Sequence, residues 1–97
     1  IELPARNGLL SVYPNPVEAR TTLEFALATP GAVRLSIHDV LGRQLLLLSD
    51  GHHPAGLHAV VWDGRDASGE EVASGVYFGL LTLPGGARDS TTVVVAR

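Results

Sequence analysis

The sequence predicts an all-β domain built from short antiparallel strands. Apolar and polar residues alternate with a period of two in several segments, which is the pattern of a strand with one buried face. Glycine, proline, asparagine and aspartate separate these segments, and no window of helical length shows an amphipathic period of 3.6. We therefore expect seven strands, at residues 9–13, 20–28, 33–39, 43–49, 57–63, 72 or 74 to 83, and 88 or 89 to 96.

The alternation also assigns the core. Pro14 and Pro16 end the first strand, because proline cannot donate a hydrogen bond to a ladder. The sixth strand is apolar on both faces, so we expect it in the middle of a sheet. Trp62 shares a face with His58 and Val60 and is predicted to anchor the core, since an indole ring buries a large apolar area. The predicted core comprises Leu23, Phe25, Leu35, Ile37, Val60, Trp62 and either Val76 or Tyr77.

Aspartate and glycine residues at the strand junctions are predicted to shape turns rather than to bind a ligand. The Asp39 carboxylate can accept a hydrogen bond from the amide two residues further on, and Gly42 can adopt a positive φ. A longer loop is expected over residues 50–56. The same structural role is predicted for Asp63, Gly64, Asp66, Gly69 and Gly75.

Chain length and strand spacing together favour one architecture. A chain of 97 residues has the size of a single domain. Strands spaced about 8 to 14 residues apart fit an immunoglobulin-like sandwich of about seven antiparallel strands in two sheets. We assign this domain to residues 9–97 and interpret residues 1–8 as a linker remnant.

The composition argues against several classes of partner and site. The net charge is −3 and the seven basic residues are all arginines spread along the chain, so no nucleic-acid partner is expected. The absence of cysteine removes disulfides, thiolate metal sites and cysteine nucleophiles. The apolar runs are far shorter than the roughly 20 residues of a membrane-spanning helix, so no transmembrane segment is predicted.

Four histidines raise the question of a metal site. His52 and His53 are adjacent in a predicted loop, and neighbours on extended backbone point apart, so the two rings cannot bind one ion without a kink. We therefore interpret both as solvated loop residues. His58 is predicted to be half-buried and hydrogen-bonded.

Carboxylates in the loop of residues 63–70 allow a second interpretation. Asp63, Asp66 and Glu70 could supply the hard oxygen ligands that calcium prefers, but Arg65 and Ala67 occupy the alternate ligand positions. We favour turn formation and leave a weak calcium site as the alternative. Because no Gly-x-Ser-x-Gly sequence or catalytic set of Ser, His and Asp is suggested, we predict no catalytic residue, metal or cofactor, and no enzymatic activity.

An ordered set of motifs extends from Leu10 to Arg97. It comprises Tyr13-Pro14-Asn15-Pro16, residues 22–27, 33–39, 42–43, 55–58, 62–64, 66–69 and 73–78. Together these motifs resemble the C-terminal sorting domain of proteins exported by the type IX (Por) secretion system. They are also similar to a related module, the Ig-like domain of the flagellar hook-cap protein.

The resemblance implies a function in export. It implies a seven-stranded sandwich at the end of a larger secreted protein, whose upstream passenger domain is carried across the outer membrane. The implied partners are the translocon and sortase proteins of the type IX system. The implied location is the cell surface or the medium, reached through the periplasm. Many members have Tyr where this chain has His38.

The last strand contains the residues through which the resemblance implies recognition. Sorting domains usually finish with a basic residue, an apolar strand and a final Lys or Arg, and this ending favours sorting over a hook-cap role. Arg88, Val93, Val94, Val95 and Arg97 supply that pattern here. We expect this strand at or near a sheet edge, where a partner can add a strand.

An accessory or spacer module of an extracellular enzyme is the alternative function. Such a module could contact carbohydrate, which generally requires a row of exposed aromatic rings. The chain has only one Trp, two Tyr and two Phe, and most of them are needed for the core. This composition favours the sorting function.

Overall fold

Seven antiparallel strands form two sheets in the computed structural model, which describes residues 7–97 apart from the Leu10 side chain. The strands are β1 (Gly8–Tyr13), β2 (Thr21–Leu27), β3 (Gly31–His38), β4 (Gln44–His53), β5 (Gly56–Trp62), β6 (Gly75–Thr82) and β7 (Arg88–Val95). One sheet has three strands in the order β1-β2-β5, and the other has four in the order β4-β3-β6-β7. The predicted all-β sandwich is therefore confirmed.

The largest difference from the predicted strands concerns β4. The predicted strand ends at Ser49 and is followed by a loop, whereas β4 runs to His53 and pairs with β3 as far as Gly31. Asp50 and Gly51 resemble turn residues in the sequence, yet Asp50 lies opposite Arg34 and forms an ion pair with it at 3.6 Å. The cross-strand partner, which the local sequence does not show, therefore extends the strand.

The domain begins before the boundary that we assigned. Gly8 is the first residue of β1 and pairs with Ala26. The Asn7 side chain accepts a hydrogen bond from the Ala28 amide at 2.6 Å. Both residues belong to the sandwich, while residues 1–6 of the predicted linker lie outside the described part of the chain.

The core lies between the two sheets and matches the predicted set closely. Leu23, Phe25, Leu35, Ile37 and Trp62 are completely buried, and Val60 packs against them while partly exposed. The open choice between Val76 and Tyr77 is settled, because Tyr77 faces the core and Val76 is 43% exposed. Strand β6 lies between β3 and β7, so its predicted central position is confirmed.

Trp62 joins the core to the loop that follows it. Its Nε1–H donates to the Arg65 carbonyl at 2.9 Å, and its ring meets Tyr77 edge to face with centroids 6.0 Å apart. The Tyr77 hydroxyl donates to the Ala73 carbonyl at 2.6 Å. Both polar groups of these aromatic residues are therefore satisfied, so the rings are buried without an unpaired donor.

Candidate recognition surface around the last strand

Strand β7 forms one edge of the four-stranded sheet and contributes two side chains to the core. Val93 is fully buried and Val95 is 2% exposed. Val94, which points to the opposite face, is half-buried. Of the three valines predicted to meet a translocon, two are therefore inaccessible in the folded domain, and their side chains hold the strand in place.

The Asn15 side chain covers part of the outer edge of β7. Its Nδ2 donates to the Thr92 carbonyl at 3.1 Å, and its Oδ1 accepts from the Val94 amide at 2.9 Å. A carboxamide carries an NH2 donor group beside a carbonyl acceptor, so it can bind the N–H and C=O groups of a strand edge as a neighbouring peptide group would. Proline residues flank Asn15, and the Tyr13–Pro14 and Asn15–Pro16 bonds are cis.

Val17 extends this cover by two further backbone bonds. Its N–H donates to the Val94 carbonyl at 2.7 Å, and its carbonyl accepts from the Ala96 N–H at 2.9 Å. Val17 and Val95 form a parallel bridge, and the Val17 side chain is fully buried. Although β7 is an edge strand as predicted, its edge from Thr92 to Ala96 is thus occupied by the chain itself. A partner strand could pair with residues 92–96 only if the hydrogen bonds from Asn15 and Val17 to this stretch were broken.

Arg97 packs against the segment that joins β5 and β6, and most of its polar groups bind residues of that segment. Its guanidinium donates to the carbonyls of Gly64 at 2.7 Å and Val72 at 3.1 Å, and it forms an ion pair with Glu71. Its backbone N–H donates to the Ser74 hydroxyl at 3.0 Å. With 23% of its side chain exposed, Arg97 joins the end of β7 to the 64–74 segment.

Arg88 differs from the other predicted recognition residues because its side chain is exposed. It borders a shallow groove of about 440 Å³ on the outer face of the four-stranded sheet. Phe78 and Leu80 form the apolar part of this groove, and His38 and Ser90 add polar groups. The outer face of β6 and β7 therefore combines an apolar surface with an accessible cation.

The turn between β3 and β4 closes one end of this groove. The Asp39 carboxylate accepts hydrogen bonds from the amides of Leu41 and Arg43, each at 3.0 Å, and from Arg43 Nε at 2.8 Å. Gly42 has a φ of +83°, a left-handed conformation that favours glycine. This turn leaves Val40 and Leu41 67% and 76% exposed, so an apolar tip stands beside the groove.

His38 connects the turn to β3. One ring nitrogen lies 2.8 Å from the Ser36 hydroxyl and the other lies 3.3 Å from the Gly42 carbonyl. In a catalytic Ser-His arrangement a carboxylate usually orients the imidazole and the serine must be reachable. Here a backbone carbonyl orients His38, and Ser36 is only 3% exposed. The pair is suited to holding the turn.

The loop that precedes β6 is built around Asp66. Its Oδ1 accepts hydrogen bonds from the amides of Ser68 and Glu70 and from the Ser68 hydroxyl. The Asp63 carboxylate similarly accepts from the Arg65 amide at 3.1 Å. Gly64, Gly69 and Gly75 all have positive φ values, of +76°, +90° and +157°, in a region that L side chains rarely adopt. No group of three potential metal-ligating side chains occurs within residues 7–97.

Two of these turn carboxylates have shifted pKa values. Partial burial raises the pKa of Asp39, but hydrogen bonds from the Arg43 amide and guanidinium and from the Leu41 amide outweigh it and leave the pKa below the usual 3.8. The hydrogen bond from the Ser68 hydroxyl is the main cause that lowers the pKa of Asp66, again from 3.8. In both turns the ionised form is the one that the fold stabilises.

We expect this preference to make stability depend on acid pH. The folded pKa lies below the unfolded one, so the contribution is present above about pH 3.8 and is lost as the pH falls through the folded pKa. The melting temperature should drop between about pH 5 and pH 2, and the drop should be smaller for the Asp39→Asn/Asp66→Asn variant. Circular-dichroism melts at several pH values give the slope of melting temperature against pH for the wild type and for the double variant. Glu70→Gln is the control. Equal slopes for the wild type and the double variant would contradict the assignment.

The histidines near the β4–β5 hairpin form a small stack. His52 and His53 lie in β4 and not in a loop, and only His52 is exposed, so the predicted solvated role is wrong for His53. The His53 and His58 rings lie 5.1 Å apart, and His58 stacks on Phe25 at 5.1 Å. His58 bonds to the Pro54 carbonyl at 2.8 Å and is half-buried, as predicted.

The packing of a three-stranded on a four-stranded antiparallel sheet defines the chain as an Ig-like sandwich domain. The chain belongs to the FlgD Ig-like domain family, whose family model matches residues 15–78. This match extends from Asn15 to the middle of β6 and does not include β7.

Two solved structures from Porphyromonas gingivalis resemble the chain. PorZ, described as an essential bacterial surface component of the type IX secretion system, is 29% identical over 93% of this chain, with a TM-score of 0.61. Dimeric latent PorU is 19% identical over 99% of the chain, with a TM-score of 0.73, and shares the fold. The chain spans only 12% of PorZ and 10% of PorU. No curated protein matches the chain in sequence.

The structure shows no helix, within residues 7–97, with the length and hydrophobicity that crossing a membrane requires.

Proposed function

We propose that this domain is a sorting signal that directs a larger protein through the type IX secretion system to the cell surface. The observation that carries the proposal is the 29% identity, over 93% of the chain, to a part of a surface component of that system. The ordered motifs that resemble sorting domains support the same function. The proposed partners are the outer-membrane translocon, the sortase and the passenger domain of the same chain, and the proposed route leads through the periplasm.

The folded surface, rather than a free tail, is the recognised element in this proposal. Val93, Val95 and Arg97 are engaged in the core and in loop contacts, so we assign them to holding β7 in place. Arg88 is accessible and borders the apolar groove of Phe78 and Leu80. A partner could therefore bind the outer face of β6 and β7 through apolar contact and an ion pair with Arg88.

A reporter fusion tests this function. Residues 1–97 are placed behind a periplasmic reporter in a bacterium that has the type IX apparatus, and reporter activity is compared between cell surface plus medium and periplasm. The wild-type fusion should leave the periplasm. Arg88→Glu should reduce export by about tenfold, because a charge reversal at a rim contact costs on the order of 1 kcal/mol. Arg20→Glu, an equal charge change at an exposed residue outside the groove, should export normally.

Deletion of residues 88–97 provides the second arm. It removes the two buried valines of β7, so both folding and export should fail. A folded wild-type fusion that stays in the periplasm would refute the sorting function and leave a spacer role. Normal export of Arg88→Glu would refute binding through the outer face of β6 and β7, but it would not refute the sorting function. A carbohydrate platform receives little support, because Tyr13 is the only strongly exposed ring among the Phe, Tyr and Trp residues of the described part of the chain.

A further inference from the structure

Three of the four sheet edges are protected by other parts of the chain. Asn15 and Val17 cover β7, and the Asp89 carboxylate accepts a hydrogen bond from the Leu9 amide of β1 at 2.8 Å. On β4 the Leu45 carbonyl accepts from the Ala67 amide at 3.0 Å, and the ladder to β3 contains two irregularities. Such bonds and irregularities are the devices that prevent edge strands from pairing with other chains.

The fourth edge, that of β5, has no such protection in residues 7–97. The backbone of Gly56–Trp62 pairs only with β2, and the register is regular from Leu27 opposite Gly56 to Thr21 opposite Trp62. Every second residue of an edge strand directs its N–H and C=O away from the sheet. This edge therefore presents a row of backbone donors and acceptors without bulge or cover.

The side chains of β5 are equally unprotected. Leu57 is 67% exposed, Val61 is 54% exposed, and Ala59 between them is exposed as well. The strand contains no lysine, arginine, carboxylate or proline, which are the residues that commonly discourage pairing at an edge. His58 points inward and stacks on Phe25, so its ring does not block the edge.

We propose that β5 pairs antiparallel with β5 of a second copy of this chain, which joins two three-stranded sheets into one of six strands. The exposed residues are arranged symmetrically about Ala59. Antiparallel pairing centred there places Leu57 opposite Val61 of the second copy, and Val61 opposite Leu57. Both cross-strand pairs are apolar, and no like charges meet, so the strand is complementary to itself.

The area of this contact predicts a weak dimer. Each copy contributes a strand of seven residues, fewer than the roughly 20 to 30 residues per partner of a stable interface. The dissociation constant should therefore lie between about 10 and 1,000 µM. The proposal goes beyond the sorting function, and the dimer leaves the β6–β7 face free because that face belongs to the other sheet.

Sedimentation equilibrium of the 97-residue chain between about 5 µM and 1 mM tests the dimer. Leu57→Lys/Val61→Lys places two lysine pairs opposite each other across the proposed interface and should weaken dimerisation about tenfold or more. Leu57→Lys/Val61→Glu places a lysine opposite a glutamate in both pairs and should restore dimerisation. Thr22→Lys, on the same face of the central strand and opposite Val61, is the control that should leave it unchanged.

Circular-dichroism melts at the lowest concentration establish that each variant is folded. A wild type that stays monomeric up to about 1 mM would overturn the proposal, including the case in which β5 binds only a strand of another protein. Equal dimerisation by the two double variants would overturn the antiparallel pairing centred on Ala59. Failure of the lysine variant to weaken a wild-type dimer would exclude this edge as the interface.

Discussion

Trp62→Ala should lower the free energy of unfolding by about 3 to 5 kcal/mol, because the substitution removes the transfer energy of a large ring and leaves a cavity. Trp62 is completely buried, contacts Tyr77 edge to face and donates to the Arg65 carbonyl. The loss therefore affects the core and the loop that follows β5. Urea unfolding followed by circular dichroism gives the difference directly.

Two further variants separate packing from hydrogen bonding at this position. Trp62→Phe keeps an aromatic ring but leaves the Arg65 carbonyl without its donor, so its effect should be smaller than that of alanine. Leu41→Ala changes a side chain that is 76% exposed and should shift the free energy by less than about 0.5 kcal/mol. An alanine variant at Trp62 as stable as the Leu41 control would show that the indole does not anchor the core.

Arg97→Ala should lower the free energy of unfolding by about 2 kcal/mol, because charge-assisted hydrogen bonds to two partly buried carbonyls are lost. Lysine at this position cannot reproduce the planar fork that reaches Gly64, Val72 and Glu71 together, so Arg97→Lys should recover only part of the loss. Urea unfolding of both variants is the measurement.

Arg88→Ala is the matched control for Arg97, since it removes an exposed arginine from the same part of the chain. It should change stability by less than about 0.5 kcal/mol. We thus expect substitution of Arg97 to lower the stability of the domain and substitution of Arg88 to impair recognition by the export partner. Equal destabilisation by both substitutions would contradict this division.

The alternation of residue types was sufficient to predict the sandwich and most of its core. It was ambiguous only where a strand is apolar on both faces, which is why Val76 and Tyr77 could not be distinguished. In β7 the same period could have identified Val93 and Val95 as inward residues, because they are separated by one position. The resemblance implies a recognition role for these two valines, whereas the period-two pattern and their burial assign them to the core.

The role of Asn15 could not be predicted from the sequence. Its partners Thr92 and Val94 lie 77 and 79 positions later in the chain, and nothing local shows that the two segments meet. A Pro-Asn-Pro sequence predicts a turn, and the side chain's second function depends on which strand passes beside that turn. Edge protection of this kind is a property of the tertiary structure.

The bonds between Val17 and residues 94–96 also determine when the domain can become complete during its synthesis. The β7 edge can be covered only after residues 17 to 96 have been synthesised, because Val17 and its partners Val94 and Ala96 lie far apart in the sequence. Contacts of such large sequence separation form late and slowly. A nascent or truncated chain that ends before Ala96 therefore lacks the covered β7 edge.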